Sequence, residues 1–189
     1  MKAKIMIFAV ILCLPPFFDI FAEESEFEGE ITLTGVFRDI NGNEAKFKEY
    51  NDLRNGAYGR LRLNYDTEKY FMDFKADDIA YDTQYYRLGG GMWGKFRADI
   101  YYDEIPHNFT FGARSFYEGI GRNYLTFAGP APNPNIASWN EFDYSIKRKN
   151  YGGGLKLEML KPFYFDVSVT TEERDGLYPI GVSLLSPGG

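Results

Sequence analysis

Between Ala57 and Asp66 every second side chain is of one kind: Ala57, Gly59, Leu61, Leu63 and Tyr65 alternate with Tyr58, Arg60, Arg62, Asn64 and Asp66. A period of two held for ten residues puts the two sets on opposite faces of an extended strand. A helix, whose faces repeat every 3.6 residues, would mix them. After Thr67-Glu68 the alternation resumes with Tyr70, Met72, Phe74 and Ala76 on one side and Lys69, Asp73, Lys75 and Asp77 on the other. The spacing predicts a hairpin with a Thr67-Glu68 loop, pairing Tyr65 with Tyr70, Leu63 with Met72, Leu61 with Phe74 and, on the polar side, Arg62 with Asp73.

The same pattern returns over Lys95 to Glu104 and from Phe163 to Val169, and further strands are expected at Glu28 to Arg38, Gln84 to Gly90, Asn108 to Arg114 and Gly153 to Leu160. That is about eight strands, several near ten residues long, where ordinary globular strands average about 5 or 6. About ten residues is what a tilted strand needs to cross a bilayer. Aromatic residues make up 18% of the chain, and tyrosines fall near predicted strand ends, where an interfacial girdle would place them. The expected fold is therefore all-β, an antiparallel up-and-down transmembrane barrel or part of one. A soluble β-sandwich is the competing reading, because it alternates in the same way.

The N-terminus reads as an export signal: Lys2 and Lys4, an apolar run from Ile5 to Leu14, and Ile20-Phe21-Ala22 before Glu23-Glu24. The expected organisation is a signal peptide over 1–22, an N-terminal segment over 23–56 with a first strand and turn, and barrel strands over 57–189 with a long loop near 115–140. That loop holds Gly129-Pro130-Ala131-Pro132-Asn133-Pro134-Asn135. Cys13, the single cysteine, falls in the leader, so the exported chain lacks the sulfur for disulfides, thiolate metal sites or a cysteine nucleophile. The remainder has 19 basic and 26 acidic residues, a formal charge of −7, which argues against nucleic-acid binding. After the leader no apolar run is long enough for a membrane helix, so any membrane crossing must use a closed barrel.

Motifs for chemistry are sparse. Gly89-Gly90-Gly91-Met92-Trp93-Gly94 fits the dinucleotide pattern in spacing, but an alternating strand follows where a helix N-terminus is required, so a glycine-rich turn is expected. Asp39, Asn41 and Asn43 begin a calcium-loop spacing that Glu44 and Tyr50 then break. Asp77-Asp78 and Asp103-Glu104 are strand neighbours pointing to opposite faces, which gives no acid–base pair. The lone His107, in Pro106-His107-Asn108, is read as a turn residue or partner contact between two strands, with no C-x-x-C-H for covalent haem. Arg60, Arg62, Asp73, Lys75, Arg97 and Asp99 form a polar set that either pairs with itself or lines a lumen and meets water, ions or a polypeptide there.

Three segments in order resemble a known family: Gly42 to Leu53, with Lys46, Phe47 and Tyr50; Asp78-Ile79 with Asp82-Thr83-Gln84-Tyr85; and Tyr102 to Phe109, with Asp103, Pro106, His107 and Asn108. Together they are similar to the N-terminal part of the MtrB/PioB outer-membrane β-barrels, from about Gly35 to the closing Ser186-Pro187-Gly188-Gly189. The resemblance implies an outer-membrane barrel around a periplasmic multihaem c-type cytochrome, a scaffold in an electron conduit for extracellular electron transfer and no enzyme. The haem is then the partner's, this chain binds no cofactor or metal, and the other expected neighbours are outer-membrane lipid and an extracellular multihaem cytochrome. Members of the family are several times longer, and some carry an N-terminal C-x-x-C that is absent here; the turn-rich ending reads as that of an N-terminal fragment. The alternative is a general porin or a small structural barrel.

Overall fold

The computed structural model describes residues 25–39, 41–42, 44–47, 49–52, 54–127, 132–159 and 162–177, leaving aside the side chains of Glu44 and Phe47. The expected leader with Cys13, the Asn43 of the calcium spacing, Leu53, Gly129 to Ala131 and the closing Ser186 to Gly189 lie outside these residues.

The described chain forms seven strands: β1 (Ser25–Val36), β2 (Gly56–Thr67), β3 (Tyr70–Ile79), β4 (Tyr85–Met92), β5 (Phe96–Ser115), β6 (Asn140–Leu157) and β7 (Phe165–Gly176). Each pairs antiparallel with the next, giving one open up-and-down sheet in chain order. Apart from this sheet, one α-helical turn (Glu44–Phe47) precedes β2 and one 3-10 turn (Ile136–Ser138) precedes β6. No helix among the described residues is long and apolar enough to cross a membrane. The fold class read from the alternation is therefore the one observed, with the sheet open.

Three local expectations are corrected. The first hairpin turns at Glu68-Lys69, because Thr67 ends β2 and its Oγ1 accepts from the backbone N–H of Lys69 (3.2 Å) and of Tyr70 (2.8 Å). The register moves by two: Tyr65 faces Met72, Leu63 faces Phe74, Leu61 faces Ala76 and Arg62 faces Lys75. A shift of two keeps each side chain on its predicted face.

The second correction concerns Pro106-His107-Asn108, which is no turn. The strands expected on either side of it are one, β5, 20 residues long. The N–H groups of Glu104 and Asn108 point away from β6, to the carbonyls of Gln84 (3.0 Å) and Glu49 (2.7 Å). Position 106, midway between, aims its missing N–H at the same side, beyond the last β4 pair at Tyr85, so the proline removes no ladder bond. Third, β6 begins at Asn140 instead of Gly153, because it accompanies β5 almost to its end. Eight expected strands thus become seven described ones.

The described residues between β5 and β6 add no strand to the sheet and carry a small aromatic core. Phe116 packs against Phe127 and Trp139 at centroid distances of 5.4 and 5.2 Å, and the Trp139 indole N–H donates to the Asn133 carbonyl (2.8 Å). Glu118 and Thr126 form a short bridge beneath it.

Candidate functional site

Antiparallel register carries each face unbroken across the sheet, because residues directly opposite one another point the same way. One face is apolar on all seven strands. Its middle row runs Leu63, Phe74, Leu88, Ile100 and Val169, with Gly29 at its β1 end and Gly153 between Ile100 and Val169. Ile31, Leu33, Ile100 and Val169 of this face are each more than 60% exposed. Aromatic rows bound it: Phe27, Tyr65, Tyr70, Phe96 and Phe165 toward the Glu68-Lys69 end, and Tyr86, Tyr102 and Tyr151 toward the other. At ~3.4 Å per residue the backbone between these boundaries covers about 20 Å, before side chains extend it. A large exposed apolar surface framed by aromatic rows is a lipid-facing wall.

The opposite face holds all six of the predicted polar residues. Asp77 is a hub that the sequence reading missed: Arg62 donates to its Oδ1 at 2.5 Å, Lys75 Nζ stands 3.3 Å from Oδ2, and Arg60 Nε is 3.9 Å away. Arg87, also missed although its strand was predicted, lies between Asp73 (3.7 Å) and Asp99 (4.0 Å). Arg97 stands over the Phe71 ring, 5.1 Å from its centroid. The expected Arg62 and Asp73 pair is absent from the register, where Arg62 meets Lys75 and Asp73 meets Asn64. Such half-exposed pairs contribute little singly, about 0–1 kcal/mol.

The motif residues gather elsewhere, mostly at the far end of the sheet, where the segment between β1 and β2 folds onto β5. Asn108, buried, donates from Nδ2 to the Asn51 carbonyl (2.9 Å) while its N–H holds Glu49. His107 is part-exposed, with Nε2 2.5 Å from Glu49 Oε1 and its ring between those of Tyr50 (4.6 Å) and Phe109 (3.9 Å). It is therefore a strand residue clasping a neighbouring segment. Asp52 is 5% exposed and accepts from the Arg54 guanidinium, from the Arg54 N–H (2.9 Å) and from the Asp82 N–H (2.7 Å). Burial alone would raise its carboxyl, but the Arg54 side chain and the two backbone donors outweigh it and hold the group below the usual carboxylate range.

From Asp82 the network continues to Lys147 (2.9 Å), which also reaches the buried Glu104 (3.1 Å), and Glu104 accepts from Gln84 Nε2. Glu104 and Lys147 follow Tyr102 on the apolar side, so this polar clasp begins where the aromatic row ends. Tyr85 and Asp103 are opposite each other on the polar face, and Lys75 Nζ lies 5.3 Å from the Tyr85 ring centroid. Lys46 is exposed on the helical turn that Phe47 closes. Glu104 and Lys147 meet only across a long stretch of chain, and Asp52 and Arg54, two residues apart, lie between strands where no alternation marks them, so none of the four carries a spacing signal.

The glycine-rich 89–94 stretch ends β4 and turns into β5, with Gly94 at φ +67, so strand follows strand as expected. No group of three or more potential metal ligands occurs among the described residues.

A sheet apolar on one side, polar on the other and banded by aromatics is a piece of barrel wall of the outer-membrane type. The chain matches the MtrB/PioB outer-membrane β-barrel porin family over residues 39–188, and it belongs to that family. No curated protein matches it at a significant level.

Proposed function

We propose that this chain supplies wall strands to a barrel that sheathes a periplasmic multihaem c-type cytochrome, so that electrons cross the outer membrane along the partner's haems. The observation that carries the reading is the two-faced sheet, apolar on one side and charged on the other; on this reading the apolar face meets lipid and the charged face meets what the barrel encloses. The barrel's task is to replace lipid around the cytochrome with polar groups and to hold it across the bilayer. It performs no catalysis and holds no redox group of its own. Short connections, at Glu68-Lys69 and Trp93 to Lys95, share one end of the sheet and would face the periplasm; the 116–139 loop, at the other end, would face outward, where an extracellular cytochrome would dock.

The test is to solubilise native outer membranes in mild detergent, isolate the barrel and stain for haem. Coelution of a haem-bearing protein is the expected result. A barrel recovered free of haem protein that conducts ions alone in planar bilayers would establish the general-porin alternative.

A further inference from the structure

On the polar face three cations stand side by side on adjacent strands. Arg62 is directly opposite Lys75, and Lys75 is directly opposite Arg87. Like charges in direct cross-strand positions work against the sheet, so this row is a poor choice for stability. The sheet's own carboxylates neutralise it in part: Asp77 serves Arg60, Arg62 and Lys75, while Asp73 and Asp99 flank Arg87. Glu30 lies opposite Arg62 on β1 but accepts from the Thr32 hydroxyl (3.2 Å). Four cations thus share three carboxylates, and Arg62, Lys75 and Arg87 stay 33%, 46% and 37% exposed; Arg62 spends Nη1 on the Leu61 and Ala76 carbonyls (3.0 and 2.9 Å) and keeps Nε–H and one Nη2 hydrogen, while Lys75 and Arg87 hold more donors in reserve.

We propose that Arg62, Lys75 and Arg87 form a carboxylate-binding row that grips an acidic patch on the protein held against the polar face. This rests on the sheath reading. The row spans two strand spacings, about 10 Å, which suits two carboxylates fixed on one folded surface better than a single small anion. Arg87, whose ion pairs are the longest of the row at 3.7 and 4.0 Å, can offer its forked donors to a carboxylate in bidentate fashion, the central lysine adds a point charge, and Arg62 adds charge and its remaining donors. The row stops at Tyr101 on β5, the next residue across from Arg87.

The test compares the full-length wild-type protein with Lys75→Gln and with Lys75→Gln/Arg87→Gln in native outer membranes. Haem-stained partner per barrel is measured after detergent extraction across a salt series, together with the barrel's thermal transition. Expected are an about two- to fivefold loss of retained partner for the single variant and about tenfold for the double, with a shallower salt dependence. The thermal transition of Lys75→Gln should stay near that of the wild type, since relief of two like-charge contacts offsets loss of the Asp77 pair and of the Tyr85 ring contact. A transition that falls in step with partner loss assigns the row to sheet stability and overturns the proposal. Wild-type retention in both variants also overturns it and leaves the sheath intact, whereas a wild-type barrel without any haem-staining partner removes the sheath reading and the row together.

Discussion

Asp52 fastens the segment between β1 and β2 through one buried carboxylate, and what it does depends on charge more than on shape. Asparagine there would keep the size but set an amide N–H2 among the donors of Arg54 and Asp82. Asp52→Asn should cost about 1–3 kcal/mol of local stability, seen as roughly tenfold or faster amide exchange over the 44–55 segment while the strands keep their protection. Equal exchange in variant and wild type would show that the clasp is held by His107 and Asn108 alone. The folded carboxyl lies below its ordinary 3.8. Its contribution is therefore complete above that value and disappears as pH falls through the lower, folded one. Exchange of the segment, corrected for intrinsic rates, should be flat from neutral pH to about 5 and rise only below about 4.

Glycines decide how closely neighbouring strands approach, and two of them should respond in opposite ways to one added carbon. A Cβ on Gly91 would sit 2.2 Å from the Phe96 carbonyl oxygen, so Gly91→Ala must move backbone and should cost about 2 kcal/mol or more. At Gly154 the nearest atom is Asp99 Oδ1 at 3.5 Å, and Gly154→Ala should be neutral or stabilising by up to about 1 kcal/mol. Urea unfolding in micelles measures both, and equal effects would refute the packing argument. What the sequence made legible at this scale was parity. Leu61, Leu63, Phe74 and Ile100 were assigned to a face correctly because period two survives any even shift of register. The register itself was hidden, since it turned on whether the Thr67 hydroxyl caps the loop or enters it. Pro106 was misread for a related reason: proline breaks strands only where its missing N–H has a partner to lose, and the short β4 leaves none there. Glu104 with Lys147 was invisible because an ion pair across distant segments leaves no periodic trace, and Asp52 with Arg54 because the pair, though local, is buried only when Asp82 and the end of β3 close over it.

Across the whole sheet the direction of the edges constrains how a barrel can close. With seven strands alternating up and down, β1 and β7 run the same way, and joining them directly would make a parallel pair. Antiparallel closure therefore takes an odd number of strands beyond the seven described. Two copies joined antiparallel at their β1 edges would be inverted relative to one another, which a single membrane orientation forbids. Which face meets lipid can be measured independently of closure or partner. With Cys13 replaced, Ile100→Cys and Tyr101→Cys each carry a single thiol, on adjacent residues of β5 and opposite faces, at the middle of the apolar band. Each is labelled with a fluorophore in detergent and returned to bilayers whose acyl chains are brominated. Contact quenching by bromine should strike the label at 100 and spare the label at 101, because only the first lies against hydrocarbon. Quenching at 101 instead would invert the two faces and place the row of Arg62, Lys75 and Arg87 in lipid, at a cost of about 2–4 kcal/mol per charge at the midplane. Quenching at neither position would mean that the sheet stands in water, and the wide exposure of Ile31, Leu33, Ile100 and Val169 would then need a protein cover.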